Sequence, residues 1–326
     1  GPTLPEVLGT TQPKGNYANL KTKGWELTLS WRDNFKLAGS DFHYGVKFML
    51  WDSQSWITKY NNATGKLSDY YEGYRIGDIW GYNIEGLFTS YDEIANHADQ
   101  DYIKISDSKI WQPGDLKFAD LNGDGKIDKG AQTLSDHGDL VIVGNEEERY
   151  HYGFNLNVGW KGIGISAFFQ GVGKRDWYPG QETGFFWGKY NRPYGYSLKM
   201  HENRWTEENP NPNAYWPRLV GYSSENGGRP MGTPNNRYMQ DASYLRLKAL
   251  TVDYSLPQAW VSKLGLTGLK IYFTGENLFT FSNICENFDP EVIKGGDVDL
   301  KDRKGEEQGY SYPMLKTYTV GLNVSF

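Results

Sequence analysis

The chain has 326 residues, 16% of them aromatic, with 39 glycines, one cysteine and a formal net charge of −6. That charge balance argues against a nucleic-acid binder, the aromatic content argues against disorder, and a lone Cys285 excludes an internal disulfide framework or a cysteine-based zinc cluster. No apolar run is long enough for a membrane helix, but a transmembrane strand needs only about ten residues with every second one facing lipid, so β-barrels stay open.

Period-two alternation marks seven strands. In the first, Trp25, Leu27, Leu29 and Trp31 point one way, and Glu26, Thr28, Ser30 and Arg32 the other. Phe42, Tyr44, Val46, Phe48 and Leu50 make the second. Tyr150 to Trp160 makes the third, and Ile163, Ile165, Ala167 and Phe169 the fourth. In the fifth, Leu245 to Tyr254, the apolar phase switches between Leu247 and Leu250, which predicts a bulge. Leu269, Ile271 and Phe273 form the sixth; Tyr318, Val320, Leu322, Val324 and Phe326 the seventh. Strict alternation means one apolar face and one wet face. Only Ser90–Ala98 and Pro257–Leu264 read as helices, both short.

The connections alternate between short (33–40, Lys161-Gly162, 256–267) and long (58–147, 174–236, 281–314). In an antiparallel meander this puts every short turn at one end and every long loop at the other. Compact soluble domains rarely carry structureless loops beyond about 15 residues, whereas outer-membrane barrels combine short periplasmic turns with long extracellular loops. The expected fold is therefore all-β: the C-terminal portion of an antiparallel transmembrane β-barrel, with about seven strands. Seven strands are too few to close such a barrel, so earlier strands are expected outside this chain. Trp25, Trp31, Tyr150 and Trp160, at strand ends, are candidates for an interfacial aromatic girdle.

Three motifs carry possible function. The ending Thr319-Val320-Gly321-Leu322-Asn323-Val324-Ser325-Phe326 resembles the signal read by the barrel-assembly machinery, with Thr319, Gly321, Val324 and Phe326 as its defining positions. Asp120-Leu121-Asn122-Gly123-Asp124-Gly125-Lys126-Ile127-Asp128 matches the first nine positions of a calcium loop. Its ligands would be Asp120, Asn122, Asp124, the Lys126 carbonyl and Asp128. The twelfth position is Ala131 and not Glu, so Asp136 or Asp139 is the candidate replacement. A structural calcium pinning the long loop is expected, against an ion-free Asp/Asn/Gly turn. The third motif is the aromatic loop 174–236. Trp177, Tyr178, Trp187, Tyr190, Trp205 and Trp216 are its candidate substrate or partner contacts. The competing reading is that these rings pack the loop on itself.

Catalytic patterns are weak. His43, His97, His137, His151 and His201 are scattered without zinc-ligand spacing, and no nucleophile elbow or phosphate-binding loop occurs. Enzymatic activity is not expected.

Several segments together resemble the SusC/RagA-type TonB-dependent outer-membrane transporters of Bacteroidetes. They are Leu4-Pro5-Glu6-Val7-Leu8-Gly9 leading to Thr22–Leu27, Gly114–Phe118 with the Asp120–Asp128 loop, Gly138-Asp139 to Gly144-Asn145 and Arg149–Phe154. Ala242–Lys248, Gly275–Thr280, Asp289-Pro290-Glu291 and Tyr312-Pro313 complete the set. The resemblance covers essentially the whole chain and departs at Ala131 and in loop 174–236. It implies that residues 1–326 are the C-terminal part of one plugged barrel of about 22 strands, whose plug and earlier strands are absent here. It further implies a SusD-like surface lipoprotein as partner, energy from the TonB complex through the absent N-terminal part, and import of oligosaccharides or oligopeptides. The polar strand faces would line the lumen and the apolar faces would meet outer-membrane lipid. The rival is a secreted, calcium-stabilised β-sandwich that binds carbohydrate.

Overall fold

The computed structural model describes residues 18–103, 110–180, 183–190, 195–220, 230–293 and 311–326. The segment Leu4–Gly9 and Tyr194 of the aromatic loop lie outside these residues. In chain order the elements are β1 (Ala18–Leu37), β2 (Ser40–Tyr60), β3 (Asp78–Gly81), β4 (Ile84–Leu87), α1 (Tyr91–Ala95), β5 (Leu116–Phe118), β6 (Val141–Asn145), β7 (Arg149–Trp160) and β8 (Ile163–Lys174). They continue with β9 (Asp176–Trp177), α2 (Gly184–Trp187), β10 (Gln240–Asp241), β11 (Tyr244–Ser255), α3 (Gln258–Val261), β12 (Gly268–Ser282) and β13 (Thr317–Ser325).

All seven alternating segments form strands of one antiparallel sheet, in the order β1-β2-β7-β8-β11-β12-β13. Two of its turns are as tight as hairpins allow. Ala38-Gly39 has φ of 49° and 75°, and Lys161-Gly162 has 50° and 84°. Positive φ at both central residues is the two-residue turn whose twist matches that of the flanking strands. The third short connection starts at Pro257, carries α3 and ends at Gly265, where φ is 71°. The bulge expected in the fifth strand lies between Leu247 and Ala249, in the pairings with both neighbours. It places Lys248 and Ala249 on the polar side in succession and so restores Leu250 to the apolar side.

The register sorts the side chains by face. Leu29, Phe48, Phe154, Phe169, Leu247 and Phe279 form a continuous row across six strands. Apart from a small patch where Leu247, Ala167 and Leu278 bury one another, this apolar face is exposed: Trp31 is 62% exposed, Phe281 64% and Val320 76%. Along β7 it runs from Tyr152 to Trp160, about 27 Å at ~3.4 Å per residue, and about 20 Å along a membrane normal at a tilt of ~40°. Seven strands at ~4.8 Å spacing give a projected apolar area near ~800 Å², beyond what soluble monomers usually leave uncovered. Among the described residues no second sheet covers it, which counts against the rival β-sandwich. β1 and β13 are both edges, so the sheet itself is open.

The main buried core lies elsewhere, in the long connections. β3 pairs with β6, β4 with β5 and β9 with β10, each as a two-stranded sheet. Around them Tyr82, Phe88, Phe118, Ile127, Trp177, Phe186, Trp187, Trp216, Tyr238 and Phe288 merge into one cluster. The three long connections thus form a single cap with its own interior.

Candidate functional site

Ion pairs gather at the rim where the sheet meets the cap. Arg149, at the start of β7, holds Asp52 of β2 with two hydrogen bonds of 2.6 and 2.5 Å. Arg175 donates to Glu148 at 3.0 Å. Arg246 on β11 is 3% exposed; it donates to Asp289 and Glu291, each at 2.6 Å, and to Thr280 Oγ1 at 2.8 Å. Lys248 reaches the other oxygen of Glu291 at 2.7 Å. Two of the sequence segments that carry the resemblance, Ala242–Lys248 and Asp289-Pro290-Glu291, are therefore halves of one network. The charges alone did not reveal it, because 43 residues separate Arg246 from Asp289. Within the cap, Arg218 Nε lies 2.6 Å from Asp115, whose carboxyl is pushed up to about 6 by burial in spite of that partner.

The calcium-like loop folds as a nest of side chain to backbone bonds. Asp120 accepts from the Gly123 and Gly125 amides at 2.7 and 2.9 Å, Asn122 from Asp124 at 2.9 Å, and Asp124 from Lys126 at 2.8 Å. Gly125, at φ 80°, makes the sharp turn. Asp128 turns instead to Gly130 N at 2.7 Å. Asp139 is fully buried and staples the loop's two ends, accepting from Leu121 N at 2.8 Å and Asp128 N at 3.0 Å. Asp136 caps Ala131 N at 3.0 Å. Among the described residues no three carboxylate, histidine or cysteine side chains gather as a metal-holding group. An ionised carboxylate offers about four lone-pair sites, so one N–H bond per oxygen leaves capacity for a cation.

The aromatic loop requires a correction. Trp177, Trp187 and Trp216 are 0% exposed, Tyr190 is 1%, Tyr178 is 7% and Trp205 is 8%. Trp216 stacks on Tyr190 and Tyr238, with centroids 5.1 and 5.2 Å apart. Tyr178 donates to Met231 O and Tyr190 to Pro217 O. These six rings supply the interior that a loop of this length needs, and none offers a free face to substrate. His201 is buried beside them, with Nδ1 accepting from Leu198 N and Nε2 on Phe186 O. Burial lowers its pKa, so the ring is held neutral.

The last strand pairs with β12 throughout, Thr319 opposite Thr274 and Gly321 opposite Tyr272. A Cβ on Gly321 would lie 2.2 Å from Tyr272 Cζ, so the tyrosine ring covers the glycine. Val324 is 40% and Phe326 90% exposed on the apolar side. Of the proposed girdle residues, Trp25 and Tyr150 are 47% and 43% exposed, Trp31 donates to Tyr44 Oη at 3.1 Å, and Trp160 donates to Leu37 O.

No family model matches the chain. Among curated proteins it is 26% identical over 338 residues to TonB-dependent receptor P3 of Formosa agariphila, covering 99% of this chain and 30% of that one. It is 28% identical over 336 residues to TonB-dependent receptor P26 of the same organism, covering 99% and 31%. The chain thus spans less than a third of the length of these relatives. Among solved structures it matches the RagAB peptide transporter with a TM-score of 0.64 at 20% identity, covering 99% of this chain and 31% of that one. It matches the RagAB peptide importer in the open-open state with a TM-score of 0.61 at 19% identity, covering 99% and 30%. These relatives are receptors and transporters. The SusC/RagA-type resemblance holds: along 99% of its length the chain is homologous to TonB-dependent receptors of the outer membrane, and it carries the fold of the matching stretch of the RagAB transporter.

Proposed function

We propose that residues 1–326 form the C-terminal wall and part of the extracellular cap of a SusC-type importer. The plug and the earlier strands would come from polypeptide outside this chain. The observation that carries this reading is the open meander, with its short turns at one end, its fused long loops at the other and a largely exposed apolar face between them. Lipid would cover that face, and further strands would pair with the edges β1 and β13. The importer would work with a SusD-like surface lipoprotein above the cap and draw energy from the TonB complex. Its cargo would be oligopeptides or oligosaccharides; that RagAB is a peptide transporter supports the first. Calcium on Asp120, Asn122, Asp124, the Lys126 carbonyl and Asp128 would stiffen the first long connection.

The test is cell fractionation combined with uptake. The native polypeptide is expected in the outer membrane, and uptake of labelled oligopeptides or oligosaccharides by cells that carry it is expected to stop when TonB is deleted. Recovery of the polypeptide in the soluble fraction, or TonB-independent uptake, overturns the reading.

A further inference from the structure

On the polar face near the cap, Trp51 of β2 stacks flat on His151 of β7, with centroids 3.7 Å apart and planes 4° from parallel. His151 fixes one face of the indole; Trp51 is nonetheless 43% exposed. Directly opposite Trp51 on β1 is Glu26, and the next inward pair towards the cap is Gly24 with Ser53. These small residues leave a recess of about 460 Å³, lined by Gly24, Trp25, Glu26, Trp51, Asp52 and Ser53. Gly24 itself is tightly packed, since a Cβ there would lie 2.9 Å from the Asp52 carbonyl and 3.1 Å from Ser53 Cβ, so this position holds no larger residue without a shift of the β1–β2 pair.

The electrostatics of the recess are one-sided. Asp52 is taken by Arg149, and Glu148 by Arg175. Glu26 has no salt-bridge partner among the described residues. On β1 and β2 the nearest cation of this face is Lys47, opposite Ser30, about 13 Å further down at ~3.3 Å per residue, and the Arg149 guanidinium beside the recess is already paired with Asp52. An aromatic face attracts a cation through its quadrupole, and a neighbouring carboxylate adds a charge-assisted hydrogen bond. Neutral ligands use only part of this arrangement.

We propose that the Glu26–Trp51 recess is a subsite for the basic side chain, lysine or arginine, of an oligopeptide travelling along the inner wall. The proposal rests on the import reading and specifies its cargo. In it Trp51 supplies the flat face, Glu26 the counter-charge, and His151 holds the indole in place.

The experiment uses the full-length transporter in detergent and calorimetric titration with two tetrapeptides, Ala-Ala-Arg-Ala and its citrulline counterpart, which keeps the shape and loses the charge. The wild type is expected to favour the arginine peptide by about fivefold, as exposed cation–π and ion-pair contacts allow. Glu26→Gln is expected to remove most of that preference and leave citrulline-peptide affinity unchanged. Trp51→Ala weakens arginine-peptide binding, and Trp51→Phe restores part of it. Equal affinities in the wild type, or a preference that survives Glu26→Gln, overturn the subsite. Binding of a neutral oligosaccharide that depends on Trp51, without peptide binding, also overturns it. TonB-dependent uptake measured in the same variants separates the two readings: intact uptake without an arginine preference defeats the subsite alone, and loss of TonB dependence in the wild type defeats import.

Discussion

The guanidinium of Arg246 on β11 lies 2.6 Å from Asp289 in the last long connection, which ties the cap to the inner wall of the sheet. Asp289 is itself only 8% exposed and also accepts from the Met314 amide at 2.9 Å, just ahead of β13.

Arg246→Ala should therefore free the last long connection. Removing one partner from a buried ion pair costs about 3–5 kcal/mol, because the remaining charges stay buried without compensation. Two carboxylates, Asp289 and Glu291, would be left with Lys248 alone. Limited proteolysis of the full-length protein should show new cleavage in 283–316. Unchanged protection would mean that the network does not anchor the loop.

Asp124→Ala should lower bound calcium and loosen the first long connection. Elemental analysis of protein dialysed against calcium reads the first effect, and protease sensitivity within 61–148 reads the second. A metal content equal to wild type would dismiss the calcium proposal. Asp139→Asn separates the two roles of this region. It weakens the staple on Leu121 and Asp128, so the loop should loosen even without calcium.

Glu93 gives a pH dependence of known sign. The Thr89 amide, at 2.7 Å, and then Lys117, at 2.9 Å, hold its carboxyl down at about 2, below the ordinary 4.5. The folded state thus favours the ionised form. Its stabilisation is complete above about pH 4.5 and is lost as pH falls towards 2. Hydrogen exchange at the Ile94 and Asn96 amides of the α1 turn should accelerate across that window. In Glu93→Gln the acid-dependent change should be absent, and the turn should be weaker at neutral pH by about 1 kcal/mol after allowance for partial exposure.

Gly321→Ala should impair the last strand pairing. The new methyl would meet the Tyr272 ring, and overpacking of this kind costs about 1–3 kcal/mol. Pairing Gly321→Ala with Tyr272→Ala removes the obstacle and should recover assembly, read as the heat-modifiable folded band on a gel. If the double variant assembles no better than the single one, the glycine matters for another reason.

The sheet was readable because each strand carries its own period. Trp25 to Trp31 and Tyr318 to Phe326 name their faces residue by residue, and the phase switch at Leu247 marks its own bulge. The cap was not readable in this way. Trp177, Trp187 and Trp216 follow no period, and an aromatic in a loop looks the same whether it packs inward or waits for a ligand. Only tertiary contact decides, and it decided for packing. Glu26 was placed on the polar face by the alternation of β1, but its pairing with Trp51 needed the register, and the stacked His151 comes from a strand about a hundred residues further on. Arg246 and the Asp289-Pro290-Glu291 segment were noticed separately. Their union needed the fold.

A cap whose interior draws on three connections constrains how this lineage can change. Trp177, Phe186 and Trp216 of one loop lie in the same cluster as Phe118 and Ile127 of another and Phe288 of a third. Exchange of any one loop for a foreign one would leave its partners with unfilled space. Diversification should therefore proceed by substitutions on the cap's outer skin and along the inner wall, while the loops are inherited together as a block.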